Sequence, residues 1–160
     1  MQPLTDVVLA SPLGKELARP EAEALAAIVR VRDLADGEVL LPEGARDSHL
    51  HVILDGRVNV ARRVESGAGW NVLYSLSRGD LVGELSFMDD EPRYASLVAS
   101  GPTRVLMLGR ADFEQLLASQ PLVVYKVMRA IMRVAHDVQR RLSRQMLELQ
   151  NYLYRPGAKY

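Results

Sequence analysis

The stretch Gly83-Glu84-Leu85-Ser86-Phe87-Met88-Asp89-Asp90-Glu91-Pro92-Arg93-Tyr94-Ala95 concentrates groups able to hold an anionic ligand. Arg93 carries a planar guanidinium that can meet two oxygens of one phosphate group. If Glu84-Leu85-Ser86 opens a short helix, its first amides have no carbonyl partners and point toward the same anion, to which Ser86 can add a hydroxyl. Glu84 is an acceptor suited to a sugar hydroxyl, and its charge also helps to hold Arg93. Taken singly, these residues have plainer explanations. Glu84 and Arg93 can form a surface ion pair of small value, and the glycines can be turn formers. The joint spacing over thirteen residues, preceded by Gly79-Asp80-Leu81-Val82, is what gives the pattern weight.

Other constellations carry less. His49 and His51 stand two apart on a predicted strand and share a face, half of a metal site, but no third ligand is evident and the remaining histidine is His136. Edge-strand or surface histidines are the favoured reading. Asp89-Asp90-Glu91 lacks the spaced ligands of a Ca²⁺ loop and reads as a solvated turn. There is no Gly-x-Ser-x-Gly elbow, P-loop or dinucleotide glycine signature, so catalysis is not expected. The chain contains no cysteine, which removes disulfides, thiolate nucleophiles and zinc fingers. A reducing cytoplasm is the simplest location.

These groups must be positioned by the surrounding elements, and hydrophobic periodicity divides the 160 residues into three stretches. Residues 1–31 read as helical: Pro20 suits the first position of a helix with Glu21 and Glu23 in its first turn, and Leu25, Ile28 and Val29 share a face. Residues 32–109 are short Val-, Ile- and Leu-rich runs punctuated by glycine, such as Leu50-His51-Val52-Ile53-Leu54, Val58-Asn59-Val60 and Arg104-Val105-Leu106-Met107-Leu108. Asp36-Gly37 and Asp55-Gly56 between such runs are hairpin signals. Many short strands at ~8–12-residue spacing predict a small antiparallel roll, with function in one of its loops.

Residues 111–154 read as helices interrupted at Gln120-Pro121. Past Pro121 no glycine or proline occurs before Pro156-Gly157, predicting one helix of roughly 30 residues and ~45–50 Å. Its apolar seam is Val124, Val127, Ile131, Val134, Val138, Leu142, Met146, Leu149 and Leu153, with steps of four that resemble a stutter. So long a helix is not expected to bury its whole length on one small body, and part of the seam is expected to meet a second chain in a homodimer.

Net charge is zero, but residues 121–160 hold eight Lys/Arg against Asp137 and Glu148, leaving twelve basic and eighteen acidic residues before them. A helix with a solvated face, or one docked on its own acidic domain, is favoured over a nucleic-acid surface. No segment approaches the ~18–20 apolar residues of a membrane span, and the N-terminus lacks a secretory pattern.

Gly-Glu-Leu-Ser followed by Pro-Arg-Tyr-Ala resembles the phosphate-binding cassette of the cyclic-nucleotide-binding domain family, the group containing the catabolite activator protein and the regulatory subunit of cyclic-AMP-dependent kinase. The resemblance extends upstream through Gly37-Glu38-Val39-Leu40, Glu43-Gly44 and Val52-Ile53-Leu54-Asp55-Gly56-Arg57-Val58 and covers nearly the whole chain. It implies one mainly β domain, an antiparallel β-roll (a jelly-roll-like double-stranded β-helix) with N-terminal helices and a long C-terminal helix. It also implies a site formed by Gly83, Glu84, Leu85, Ser86, Arg93, Tyr94 and Ala95. There Arg93 holds a 3′,5′-cyclic phosphate and Glu84 accepts the ribose 2′-hydroxyl. By the same resemblance Val60, Leu73 and Tyr74 face the sugar or base, and Val138 and Gln139 of the long helix approach the base.

Tyr94 departs from the family, which places a small residue after the arginine, with threonine there associated with guanine selectivity. The tyrosine can point outward and leave only its amide to the site, offer its hydroxyl to a ligand, or fill the pocket. The expected role is a cytoplasmic sensor of a cyclic mononucleotide, cyclic AMP before cyclic GMP, with no other cofactor, signalling through its C-terminal helix to an effector protein. The alternative is a nucleotide-free oligomerisation or docking module. The family's transcription factors continue into a helix-turn-helix domain after the long helix. Because the sequence stops at Tyr160, direct control of DNA is not expected of it unless it is a fragment, in which case salt-dependent DNA binding is expected.

Overall fold

Strands whose residues alternate between two different cores account for the middle of the chain. A computed structural model describes residues 2–154. Eight strands, β1 (Val29–Leu34), β2 (Val39–Leu41), β3 (His49–Asp55), β4 (Arg57–Arg63), β5 (Trp70–Ser77), β6 (Leu81–Val82), β7 (Ser96–Ala99) and β8 (Thr103–Gly109), form two four-stranded antiparallel sheets. Their orders are β1-β8-β3-β6 and β2-β7-β4-β5. In β3 and β8, Ile53 and Val105 turn inward to meet Val58, Val60, Leu76 and Leu97 of the other sheet. Leu50, Val52, Leu106 and Leu108 turn outward onto the helices. A strand covered on both faces needs apolar side chains at successive positions, which is why Leu50-His51-Val52-Ile53-Leu54 is a nearly unbroken apolar run.

The helices are α1 (Leu4–Ala10), α2 (Arg19–Ala26), α3 (Glu84–Asp89), α4 (Arg110–Ser119) and α5 (Pro121–Leu153), with a 3-10 turn at Pro12–Gly14. The N-terminal helical segment ends five residues earlier than the spacing of Leu25, Ile28 and Val29 predicts. Val29-Arg30-Val31-Arg32 also reads with period two, and pairing of β1 with β8 from Val29↔Leu108 onward decides for the strand. The Asp-Gly pairs do make turns, with φ of 75° at Gly37 and 84° at Gly56, but neither closes a hairpin. β1 and β2 lie in different sheets, as do β3 and β4. At the second corner a Cβ on residue 56 would strike the Pro102–Thr103 backbone, so glycine is required by close approach as well as by φ. The β4–β5 pair is a true hairpin.

The 33-residue α5 is one helix of about 50 Å. Its first half is buried on the roll through Val123, Val124, Val127, Ala130 and Ile131. Its basic residues dock on the chain's own acids: Lys126 donates to both Glu21 carboxylate oxygens at 2.7 and 2.8 Å, Arg133 bonds Glu16, and Arg141 meets Asp80 at 2.7 Å. The charge asymmetry therefore has the intramolecular explanation that the sequence favours. Further along the seam Met146, Leu149 and Leu153 are more than half exposed. Pro156-Gly157, read as the helix stop, lies outside the described residues.

His51 corrects the expectation of edge or surface histidines. β3 is an interior strand, and the imidazole is only 1% exposed, inside the roll. Burial is the main reason its pKa falls to about 4, with Arg93 acting in the same direction and Asp47 opposing. The folded protein therefore keeps His51 neutral while the unfolded chain takes up a proton below its ordinary value of 6.5. Stability present above pH 6.5 is lost as pH falls toward 4, by an amount on the order of 3 kcal/mol. Thermal melts of wild type and His51→Leu across this window should show the wild type losing more; parallel losses would contradict the assignment.

Candidate functional site

Arg93 is reached by two segments that the fold brings together, the loop between β2 and β3 and the start of α3. Its backbone is fastened to the loop between β2 and β3, with Gly44 N–H donating to its carbonyl at 2.7 Å and its own N–H donating to the Ala45 carbonyl at 3.0 Å. Its side chain is 8% exposed and packs over Gly83, which starts α3 with φ of 88°. A Cβ at Gly83 would overlap the guanidinium. Glycine is thus fixed here twice, by the left-handed conformation and by the arginine above it. Phe87 anchors the other face of α3, fully buried with its ring centroid 5.9 Å from that of Phe113.

These residues line a cleft of about 340 Å³ between the cassette and the second sheet. Gly83, Glu84, Ser86, Arg93, Tyr94 and Ala95 all border it, as do Val60, Tyr74 and Val138. Leu85 falls in the first turn of α3. Two residues assigned by resemblance do not border it. The β4–β5 ladder shifts register between Val60↔Tyr74 and Ala61↔Val72, so Leu73 has no partner and lies on the solvent side, 45% exposed. Gln139 follows Val138 by 100° around α5 and lines a neighbouring groove with Met132 and His136, which Glu84 also borders.

The electrostatics differ from the expected Glu84–Arg93 pair. The carboxylate that faces the guanidinium within ion-pair distance is Asp47, its Oδ2 3.7 Å from Arg93 Nη2. The other Asp47 oxygen is bonded to His49 Nδ1 at 2.7 Å. Asp47 is the functional-site residue that sequence reasoning misses, because nothing in the local loop sequence signals a partner 46 positions away. Glu84 acts on Arg93 through its charge alone; burial raises the Glu84 pKa, opposed by the backbone N–H groups of Glu84 and Gly83 and by the Arg93 charge. Burial likewise pulls Arg93 down, with Asp47 and Glu84 holding it up. Ser86 is also redirected: its hydroxyl donates to the Glu91 carbonyl at 3.0 Å, closing the cassette turn, so its proton is not free for an anion.

The guanidinium remains the strongest free donor. Arg93 Nε and Nη2 are buried and make no hydrogen bond among the described residues. A desolvated cation with unused N–H donors on a cleft favours an anion with several oxygens. Tyr94 is not on a strand and is 59% exposed, yet its hydroxyl turns back to meet that of Tyr74 at 2.5 Å. Among the described residues no group of three metal-ligating side chains occurs, and no helix is long and apolar enough to cross a membrane.

Comparison with known proteins agrees with this geometry. The family model described as "Cyclic nucleotide-binding domain" matches residues 31–120. A cAMP-dependent protein kinase regulatory subunit from Mycosarcoma maydis is 32% identical over 111 residues, 66% of this chain and 21% of that one. A cyclic AMP receptor protein from Thermus thermophilus is 31% identical over 117 residues, 73% of this chain and 54% of that one. The chain thus spans little more than half the length of one relative and about a fifth of the other. A crystal structure of a cyclic nucleotide-binding domain from Methylobacillus flagellatus superposes with a TM-score of 0.79 at 28% identity, covering 90% of this chain and 83% of that one. With the two-sheet roll, the cassette and the long closing helix all matched, the chain belongs to the cyclic nucleotide-binding domain family.

Proposed function

We propose that the cleft binds a 3′,5′-cyclic mononucleotide, cyclic AMP in preference to cyclic GMP, and that the domain is a cytoplasmic sensor rather than a catalyst. The observation that carries this reading is the buried Arg93 guanidinium with unused donors, set on a cleft beside Gly83 and Glu84. The cyclic phosphate is a compact monoanion and occupies Arg93. The ribose 2′-hydroxyl donates to Glu84, an interaction that favours the charged carboxylate, which burial disfavours. The names of the two relatives, each referring to cyclic AMP, support the choice of nucleotide.

Calorimetric titration with cyclic AMP, cyclic GMP and a cyclic dinucleotide tests this directly. Cyclic AMP should bind most tightly, and Arg93→Ala should weaken it by at least roughly 30-fold, because removing one partner of a buried charge pair costs ~2–5 kcal/mol. If no nucleotide binds the wild type at millimolar concentration, the alternative stands: a docking module whose cleft is closed by the Tyr74–Tyr94 bond.

The proposed output is α5, which acts on an effector protein. Val138 packs beside Tyr74 at the cleft, and Arg141, one turn further, grips Asp80 with two hydrogen bonds. Asp80 is buried just ahead of the cassette and also accepts the Ser77 N–H at 2.9 Å. Ligand that reorders the cassette therefore acts beside the turn to which the helix is pinned. Hydrogen exchange should show cyclic AMP slowing the amides of residues 134–142, and Arg141→Ala should abolish that response; no change on α5 in wild type would exclude the relay.

The second half of the helix meets a second copy in this reading, because Met146, Leu149 and Leu153 continue the buried seam into solvent. Light scattering at tens of micromolar should return the mass of a dimer, and a strict monomer would contradict it. DNA is not a proposed partner, since Lys126, Arg129, Arg133 and Arg141 are engaged with Glu21, Glu16 and Asp80.

A further inference from the structure

The wall of the cleft formed by the tyrosines remains without a role. Tyr74 projects from β5 opposite Val60, and Tyr94 follows Arg93 in the chain. Both border the cleft, and their hydroxyl oxygens lie 2.5 Å apart. Val60, Leu97 and Val138 complete an apolar surround suited to the faces of an aromatic ring. Burial and the bond to Tyr94 push the Tyr74 phenol upward, so its oxygen keeps its proton at neutral pH.

The hydrogen count of this pair is restrictive. Two phenols carry two protons, and one of them is used between the oxygens. The pair can therefore offer a ligand a single O–H donor together with free lone pairs on the other oxygen. The 6,7-edge of adenine presents one acceptor, N7, and one donor, the 6-amino group, whereas guanine presents two acceptors, N7 and O6. Hypoxanthine shares the guanine pattern at this edge and lacks the 2-amino group. Adenine can be satisfied with the tyrosine bond intact. Guanine or hypoxanthine must leave one acceptor unpaired or break that bond.

We infer that the Tyr74–Tyr94 hydroxyl pair reads the base of the bound nucleotide and, having one free proton, selects an adenine edge over edges with two acceptors. The inference rests on the cyclic-nucleotide reading of the cleft. It assigns the discrimination to a contact between β5 and the residue after Arg93, leaving the phosphate and ribose ends to bind every purine nucleotide alike.

The experiment compares cyclic AMP, cyclic IMP and cyclic GMP by calorimetry on the wild type, Tyr74→Phe, Tyr94→Phe and Arg93→Ala. One forgone hydrogen bond at this partly exposed edge should cost the wild type about fivefold to tenfold in affinity for cyclic IMP and cyclic GMP relative to cyclic AMP. Either phenylalanine should bring the cyclic AMP to cyclic IMP ratio within about threefold, because a lone phenol reaches one edge atom and finds one to bond in either base. Arg93→Ala should weaken all three alike. Equal binding of the three by the wild type, or a ratio unchanged in both phenylalanine variants, overturns the tyrosine assignment and leaves the nucleotide reading standing. Failure of all three to bind the wild type overturns both.

Discussion

A guanidinium held almost out of water is the constraint around which this domain is arranged. Removing such a cation from solvent costs on the order of several kcal/mol, which is recovered only with good partners. In Arg93 the partners are incomplete: Asp47 stands at 3.7 Å, and two of its nitrogens have no hydrogen-bond acceptor among the described residues. The position is nevertheless fixed. The backbone on either side of the Arg93 Cα is bonded to Gly44 and Ala45, and the space the side chain occupies exists because Gly83 has no Cβ. A cation held in place and short of acceptors is preorganised for an anion, since the orientation is established before the ligand arrives.

The rest of the architecture ties the cassette to the helical layer. The cassette helix α3 is placed between the roll and the helical layer, with Glu84 on the cleft and Phe87 against Phe113 of α4. Arg110 at the start of α4 bonds both Asp90, at 2.6 Å, and the Phe87 carbonyl. Asp80, in the turn just before β6, is gripped by Arg141. Charge-assisted bonds at Asp80 and Asp90 and the buried Phe87–Phe113 pair thus join the cassette region to α5 and α4.

Much of this was legible in the sequence, for definite reasons. The roll showed in glycine-punctuated apolar runs because turns with positive φ need glycine, and α5 showed because 33 residues pass without a breaker. Gly83, Glu84 and Arg93 can be read together because they stand within eleven residues of one another. What stayed hidden was set by pairing at long range. Asp47 lies 46 positions from Arg93, the Asp-Gly corners join sheets rather than neighbouring strands, and a bulge in β5 turned Leu73 outward while leaving Tyr74 inside. Ser86 fell between the two cases: its placement at the cleft was predictable, but the Glu91 carbonyl that takes its proton was not.

The central claim, that Arg93 is an anion-binding group waiting for a cyclic phosphate, is tested most directly by observing the arginine itself. Side-chain ¹⁵N NMR of the Arg93 Nε–H group in the full chain, titrated separately with cyclic AMP and with adenosine, isolates the phosphate from the base and ribose. The structure predicts a saturable shift and slowed proton exchange with cyclic AMP and no response to adenosine. An Arg93 resonance that ignores cyclic AMP, or that responds equally to both ligands, would contradict it.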